Sequence, residues 1–481
     1  MDAMALFEAE GYQTARWLLQ RGTALVYLLA FVNVLHQWRP LLGDRGLSPA
    51  REVLVASSWR RVPSLFHLGY DDRVATGLAG VGAAVALALL IGLPQAGPPW
   101  GAMAAFALLW ALYLSFVTVG RSFYAFGWES LLLEAGFLAI FLGPPEIAPP
   151  WIVLVAFRWL LFRVEFGAGM IKLRGDVCWR ELTCTEHHHE TQPLPNPLSR
   201  RFHRLPRWQH RVEVGANHVT QLLVPFGLFL PQPFAGTAAT IVIVTQAYLM
   251  LSGNFAWLNL LTIVLGFAAL PDAWLGWPPG APVDTAQEAP TWFLATVLVL
   301  GAVLVWRSWH PLANLFSARQ RMNASHDPLR LVNSYGAFGS VTRVRHELVI
   351  EATSDADPRA PDADWRAYEF PAKPTDVARR PPQVAPYHLR LDWLLWFAAM
   401  SPRPEQHPWF RRMLTRLLEA DPQILRLVHR APFGDRPPTA VRVLRYRYRF
   451  AEPEESTGSR VWWVREERDE IIPPVTRGQL P

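Results

Sequence analysis

Long apolar windows follow one another through the first two thirds of the chain, separated by short polar links. Only helices and closed barrels satisfy their backbone groups inside a bilayer, and a spanning helix needs roughly 20 mostly apolar residues. Nine windows reach or approach that length: 17–37, 74–94, 100–120, 127–143, 150–173, 214–231, 234–252, 255–271 and 290–309. The pattern therefore predicts an all-α polytopic membrane bundle of about eight or nine spans over residues 1–310.

Beyond residue 310 the hydrophobic period changes. "VRHELVIEA" alternates as a strand does and should place Val344, His346, Leu348 and Ile350 on one face, and "VRVLRYRYRF" opposes Leu444, Tyr446, Tyr448 and Phe450 to Arg445, Arg447 and Arg449. Between them, "RLDWLLWFAAM" and "PWFRRMLTRLLEADPQILRLVHR" are helical in pattern, with Asp421 expected to cap a new helix that begins at Pro422. We predict a soluble α+β C-terminal domain over 311–481.

Charge is scarce and unevenly placed. Charged residues make up 18% of the 481 positions, against about 25% in an average soluble domain. Arginines concentrate in 38–73, in 174–213 and beyond 309, whereas 95–99, 144–149, 232–233 and 272–289 have no lysine or arginine. Arginines beside apolar spans mark membrane-flanking loops, so nucleic-acid binding is not expected, and the positive-inside rule would place the basic loops in the cytoplasm.

The fifth window contains charges that cannot face lipid. Arg158, Glu165 and Lys172 are spaced by seven residues, which puts them on one helical stripe about 21 Å long. Each such group costs roughly 2.5–3.5 kcal/mol in a membrane unless it faces a bundle interior or a wet cavity. We predict an intramembrane polar network made of Arg121, Glu129, Glu134, Arg158, Arg163, Glu165 and Lys172.

Two interpretations of this network stay open. It can be an ion-pair lock between the fourth and fifth spans, with Glu129 and Glu134 as counter-charges. It can also be a polar cavity that opens at the mouth of the fifth span. A lysine among apolar residues can lose its proton and act as a base, which makes Lys172, with Glu165 and Glu134, the candidate catalytic group of an enzyme hypothesis.

The segment 174–213 follows at that mouth and has the composition of an ordered loop. Its cysteines, Cys178 and Cys184, fit no zinc or thioredoxin spacing but can close a small disulfide ring in an oxidising space. Neighbours in "EHHHE" cannot all converge on one ion, so no metal site is predicted. The residues expected to form a working surface are Asp176, Trp179, Glu186, His187, His188, His189, Glu190 and Asn196.

Common enzyme signatures are missing. The chain has no G-x-S-x-G elbow and no glycine-rich phosphate loop, and "NSYGAFGSV" is expected only to turn the chain into the first strand of the C-terminal domain. No cofactor is predicted.

Several long stretches carry a resemblance to a known family. They include "FYAFGWESLLLEAGFLAIFLGP", "RWLLFRVEFGAGMIKLRGDVCWRELTCTEHHHETQPLPNPLS", "LSGNFAWLNLLTIVL", "NSYGAFGSVTRVRHELVIE", "WRAYEFPAKP", "RRPPQVAPYHLRLDWLLWFAA" and "YRYRF". In order along nearly the whole chain, they resemble the lipase maturation factor family. The resemblance implies a multi-span chaperone-like protein that helps secreted lipases fold and assemble, located in the endoplasmic reticulum in eukaryotic relatives.

A fainter similarity concerns "KLRGDVCW". Lys172, Leu173, Asp176 and Trp179 resemble a stretch of the vitamin K-dependent gamma-carboxylases and their bacterial relatives, in which the lysine is a base. The spacing to the tryptophan differs, so the similarity implies a related membrane architecture before it implies related chemistry.

Three hypotheses result. The first is a non-enzymatic folding factor whose segment 174–213 and C-terminal domain bind lipase folding intermediates, the second is a membrane enzyme using Lys172 on a lipid or quinone-like substrate, and the third is a scaffold. The many Ala, Arg and Pro residues suggest a bacterial source, and hence the bacterial inner membrane with lipid as a partner. Lipase folding requires an exported working face, which conflicts with the cytoplasmic side that the charge rule gives.

Overall fold

A computed structural model describes residues 7–276, 288–455 and 461–479. The first part of the chain is helical throughout. Its helices are α1 Gln13–Leu42, α2 Ala50–Ala56, α3 Asp72–Ile91, α4 Gly101–Val119, α5 Gly127–Ala139, α6 Trp151–Arg174, α7 Val177–Arg180, α8 Thr185–Thr191, α9 Ser199–His203, α10 Arg207–Leu222, α11 Val224–Gly227, α12 Phe234–Ser252, α13 Leu258–Gly266, α14 Asp272–Leu275 and α15 Thr291–Phe316.

Within the described residues, five helices are long and apolar enough to cross a membrane: α1, α3, α4, α12 and α15. In α3 and α15 only 28% and 17% of the most apolar stretch is buried inside the protein. Apolar side chains such as Val81, Val299 and Val305 therefore point outward, as helices at the lipid boundary require.

Four of the nine predicted spans fall outside this set. The window 127–143 is a 13-residue helix, and 255–271 is a short apolar helix, Leu258–Ala269. The window 214–231 is divided between α10 and α11, because Pro225 begins a new helix. Helix α6 is 24 residues long but contains four charged side chains before its last residue. The structure thus supports about five spans by length and composition.

Helix α6 lies inside the bundle. Arg158, Arg163, Glu165 and Lys172 are each at most 5% exposed, although they lie on different sides of the helix. Neighbouring helices cover it on every charged side, and its partners include α5, α10, α13 and α15. The expectation that these charges face inward is therefore met by packing around the whole helix.

The C-terminal part combines a sheet with short helices. The helices are α16 Arg390–Met400, α17 Pro408–Leu418 and α18 Pro422–Leu425, and the strands are β1 Ala324–Ser325, β2 Asn333–Ser334, β3 Arg345–Thr353, β4 Arg366–Ala367, β5 Ala440–Phe450 and β6 Trp463–Thr476. One antiparallel sheet has the order β4-β3-β5-β6, and β1 pairs with β2 separately. The two predicted strands are confirmed as β3 and β5, and Asp421 caps α18 as predicted.

Strand β6 was not predicted. Residues 465–470 are almost all charged, and Pro473 and Pro474 follow, so no alternating apolar pattern is visible. The structure places β6 at the edge of the sheet beside β5. Edge strands tolerate proline and use charged side chains to prevent pairing with other chains, which accounts for this sequence.

Strand β3 is buried on both of its faces. Arg345 and Glu347, on the face opposite Leu348, are also buried and form an ion pair. The Lys373 ammonium lies 2.6 Å from Glu347, and Arg345 donates to the backbone carbonyl of Glu190 at 2.9 Å. The second face is closed by the segment 174–213, which the strand pattern could not reveal.

The C-terminal part is anchored on the helical body by a buried ion pair. Arg390, at the start of α16, donates to Glu129 of α5 at 2.6 Å, and both side chains are fully buried. Arg390 also donates to the amide oxygen of Asn33 in α1 at 2.8 Å. Apolar residues from both parts form one continuous core. The predicted domain boundary after residue 310 falls within α15, which continues through Pro311.

Replacing Arg390 tests this anchor. Arg390→Met should lower the free energy of unfolding by about 3–5 kcal/mol, because the Glu129 carboxylate is left buried without its cation. Denaturant titration of the detergent-solubilised protein measures the change. The matched control is Arg412→Ala, which breaks a 41% exposed pair with Glu52 and should cost less than about 1 kcal/mol. Equal losses in the two variants would contradict the anchor.

Candidate functional site

A cavity of about 520 Å³ lies beside the C-terminal half of α6. Its wall is built by α6, by the segment 174–213, by α10 and α12, and by residues 335–342 and α16 of the C-terminal part. Part of the lining is aromatic, including Trp128, Trp396 and Phe338, and charged, amide and hydroxyl side chains interrupt it, among them Lys172 and Glu165. An apolar cavity with a few converging polar groups is the usual form of a ligand or active site.

Lys172 lies in the last turn of α6, two residues before the segment 174–213 begins. Its ammonium donates to the side-chain oxygens of Asn217 at 2.8 Å and Gln221 at 2.9 Å. It lies 4.7 Å from the centre of the Trp179 ring, close enough for a cation–π contact. Within residues 7–276, 288–455 and 461–479, no carboxylate approaches this ammonium within 4.0 Å, so neutral amides and an aromatic face hold it.

Glu165 lies two turns earlier on α6 and also has an amide partner. Gln246 of α12 donates to its carboxylate at 2.6 Å, and Asn259 of α13 donates to Gln246 at 2.7 Å. The second carboxylate oxygen of Glu165 has no hydrogen-bond partner. All three residues contribute to the cavity wall. They form a polar patch in which one carboxylate oxygen is free to accept a hydrogen bond.

Arg163 and Glu134 form a separate pair. They are both buried and directly bonded. Glu134 also accepts from the backbone N–H of Asn333 at 3.0 Å and from the Tyr335 hydroxyl at 2.7 Å. The segment "NSYGAFGSV" thus does more than lead into β3, because two of its residues donate hydrogen bonds to the buried Glu134 carboxylate.

The seven residues predicted as one network are distributed over different partners. Arg158 donates to the backbone carbonyl of Ala268 at 3.0 Å and stacks on Trp151. Arg121 lies at the surface in a 3.1 Å pair with Glu52, and Glu129 pairs with Arg390, as described above. The continuous stripe of Arg158, Glu165 and Lys172 is not a chain of contacts, because residues seven apart are about 10.5 Å apart along a helix.

The segment 174–213 is folded into α7, α8 and α9, with a compact turn at its start. Cys178 and Cys184 form a disulfide with their Cα atoms 4.8 Å apart. Asp176 accepts from the backbone N–H of Cys178 at 3.1 Å and pairs with Arg343 at 2.8 Å. The ring is therefore tied both to the end of α6 and to the residues that precede β3.

The three prolines of "TQPLPNP" keep the next stretch extended, and their carbonyl groups are satisfied from elsewhere. Arg345 donates to Pro193 at 3.3 Å, Asn254 donates to Pro195 at 3.0 Å, and Arg380 donates to Pro197 at 3.3 Å. A chain that lacks backbone donors is buried here without leaving its acceptors unpaired.

Much of the predicted working surface faces inward. Trp179, His189 and Asn196 are buried, and Asp176, Glu186, His187, His188 and Glu190 are half-buried. Trp179 and His188 line the cavity, and Glu190 accepts from the backbone N–H of Phe450 at 2.7 Å. These residues join the segment to the rest of the protein and present little of their surface to solvent.

Glu213 holds two histidines beside the cavity. Its carboxylate is 3.1 Å from Nε2 of His189 and 3.6 Å from Nδ1 of His210. Burial raises the pKa of Glu213, but the neighbouring imidazoles of His189 and His210 outweigh it and hold the pKa well below its ordinary value. Burial lowers the pKa of His210, and the Glu213 carboxylate reverses this and raises the pKa above its ordinary value.

Sequence reasoning missed the polar residues of α10 and α12 that reach the cavity. Glu213, Asn217 and Gln221 are spaced by four, so they share one face of a helix. Gln246 lies in the otherwise apolar "TIVIVTQAYLM". Polar residues at a spacing of four on α10, and a single glutamine in an apolar window, were the available signals.

The fold and the cavity define a class: a multi-helix membrane protein whose C-terminal part, built on small sheets, helps to close a cavity rich in aromatic side chains. The chain matches the family models for the lipase maturation factor transmembrane domain over residues 14–277 and the lipase maturation factor C-terminal domain over residues 331–473. This chain belongs to the lipase maturation factor family.

Its relatives are similar over almost the full length. Lipase maturation factor 1 of Bos taurus is 41% identical over 99% of this chain and 91% of its own length. Lipase maturation factor 1 of Homo sapiens is 40% identical over 97% of this chain and 88% of its own length. Lipase maturation factor 2 of Homo sapiens is 30% identical over 97% of this chain and 83% of its own length. No solved structure matches the chain.

Two substitutions in α6 distinguish a charge that stabilises the fold from a charge that is free to bind a ligand. Arg163→Met should cost about 3–5 kcal/mol of unfolding free energy, because it removes the cation from buried Glu134. Lys172→Met should cost only about 1 kcal/mol, because its neutral amide partners can bond to water in the cavity. Parallel denaturant titrations in one detergent measure both changes. A larger loss for Lys172→Met would make that lysine a structural group.

Proposed function

We propose that this chain is an integral-membrane maturation factor that assists the folding and assembly of exported lipases. The observation that carries the proposal is the 41% identity over 99% of the chain to a lipase maturation factor. The alternative, a membrane enzyme with Lys172 as a base, is not favoured by these relatives. In the folding factor, the cavity then lies where α6 meets the segment 174–213.

The client surface is proposed on the outward side of the segment 174–213. Because its acidic and histidine side chains mostly pack inward, the exposed apolar residues Val177, Trp208 and Val212 are the available contacts. Trp208 and Val212 are four residues apart on α10 and flank Arg211. Aromatic and arginine side chains are common in protein interfaces, which suits transient binding of folding intermediates.

We also propose that more helices lie at membrane depth than the five apolar ones. Helix α6 is long enough to cross a bilayer, and its charges are buried by neighbours, which is the condition under which such charges are tolerated. The short helices α5 and α13, and residues 214–231 of α10 and α11, would bring the total to eight or nine crossings. The membrane would be the inner membrane of a bacterium, or the endoplasmic reticulum membrane for eukaryotic relatives.

The disulfide favours an oxidising side for the segment 174–213, that is, the periplasm or a lumen. The arginine count places the same segment in the cytoplasm. The two inferences conflict, and we weight the disulfide above the charge rule because lipase folding is needed on the exported side.

Thiol labelling decides the sidedness. With intact spheroplasts, an impermeant maleimide should not label Cys178 or Cys184 before reduction and should label both after treatment with an impermeant reductant. The chain has two cysteines, so mass spectrometry reads the result directly. Cys178→Ser with Cys184→Ser is the blank. Labelling without reduction, or only after membrane disruption, would contradict the proposed orientation.

Co-expression tests the function. A secreted lipase that depends on a maturation factor should gain activity when this chain is present, and Trp208→Ala with Val212→Ala should lower that gain several-fold without changing membrane levels. Trp100→Ala is the control, because Trp100 is 60% exposed but lies between α3 and α4. If the wild-type chain leaves lipase activity unchanged, the proposed function is refuted. If the Trp208→Ala, Val212→Ala variant and the Trp100→Ala control lower the gain equally, only the proposed client surface is refuted.

A further inference from the structure

Three side chains from two elements converge beside the cavity. His189 of α8, and His210 and Glu213 of α10, each offer one nitrogen or oxygen, and these atoms lie within 4.8 Å of one another. His210 and Glu213 are three residues apart and therefore on one face of α10. The rings of His189 and His210 are tilted by 35° with centroids 5.9 Å apart. Only one member of the "EHHHE" run takes part, so the argument against five adjacent ligands does not apply.

The hydrogen-bond pattern of His210 leaves a lone pair aimed at the carboxylate. Its Nε2 lies 3.3 Å from the backbone carbonyl of His203. A carbonyl oxygen only accepts, so Nε2 carries the hydrogen of the neutral ring and Nδ1 is the acceptor. That Nδ1 is buried without a hydrogen-bond partner and is 3.6 Å from Glu213. With a neutral ring, two acceptors face each other, so the contact requires a positive centre between them, either a proton or a metal ion.

The two separations from Glu213 suit a metal ion as that centre, and the nitrogens of His189 and His210 lie within 4.8 Å of each other. Zinc binds imidazole nitrogen at about 2.0–2.1 Å and carboxylate oxygen at about 2.0–2.2 Å, which places neighbouring tetrahedral ligand atoms about 3.3 Å apart. The two observed separations from Glu213, 3.1 and 3.6 Å, lie on either side of that value. A metal-binding histidine usually donates its other N–H to a carbonyl or carboxylate, as His210 does to His203.

We propose that His189, His210 and Glu213 bind one divalent transition-metal ion, with Zn²⁺ as the representative. Two imidazoles and one carboxylate leave a fourth position open, as in zinc sites that bind an external ligand. His189 and Glu213 line the cavity, so the site borders it. The ion also ties α8, and with it the segment 174–213, to α10. This site is independent of the lipase role proposed above.

Metal content of the full-length protein tests the site. The chain is purified in detergent without chelators, and a second sample is stripped and then titrated with Zn²⁺. Inductively coupled plasma mass spectrometry should find about one equivalent of metal per chain. Glu213→Gln and His210→Asn should each weaken Zn²⁺ binding at least about tenfold. His187→Asn, on the same short helix but outside the cluster, is the matched control and should bind as the wild type does.

A folding readout accompanies the titration. Zn²⁺ should raise the Tm of the stripped wild type and of His187→Asn, and should not raise that of the two ligand variants. If the ligand variants fail to fold, Co²⁺ titration of the wild type replaces them, and the intense visible bands of tetrahedral Co²⁺ support the site. Absence of both bound metal and a Zn²⁺-dependent Tm shift in the wild type overturns the proposal and leaves a proton as the positive centre. Unchanged binding in both folded ligand variants overturns it as well.

Discussion

Buried charge in the helical body is the constraint on which the rest of this structure depends. Glu129 and Glu134 lie in α5, where an unpaired carboxylate would be too costly to keep ionised. Glu129 takes its cation from Arg390 of the C-terminal part, and Glu134 pairs with Arg163 and accepts from the backbone N–H of Asn333. The buried carboxylates of the membrane body therefore depend on Arg390 and Asn333 of the C-terminal part. These contacts hold the C-terminal part against the body.

That docking also makes the cavity. Residues 335–342 cross the end of α6 on their way from β2 to β3, and α16 brings aromatic side chains to the opposite wall. The segment 174–213 closes the remaining side because Arg345 and Arg380 bind its carbonyl groups. These elements are far apart in the chain, so the lining exists only in the folded protein. Lys172 is part of that lining, and its surroundings therefore depend on how the C-terminal part packs on the helical body.

The polar groups around the cavity fall into two kinds. Arg163 and Arg390 are held by carboxylates and serve the fold, whereas Lys172 and Glu165 are held by neutral amides. A charge bonded to amides keeps more of its capacity to interact with a ligand, since no opposite charge is already in contact with it. The cluster of His189, His210 and Glu213 adds a third group at the same wall.

The sequence alone determined the division into an apolar helical body and a polar part with strands β3 and β5, because hydrophobic period and charge density are local properties. It also identified α6 as a helix whose charges must be covered, and the segment 174–213 as one with a specified shape. Only the tertiary structure decided which partner each charge has, since Glu129 meets Arg390 across 261 positions of the chain. It likewise decided that β3 is covered on both faces and that β6, whose charges hide its period, closes the sheet. The cavity, too, was decided by the tertiary structure. Its walls come from distant segments, and no local sequence pattern predicts which segments will pack together.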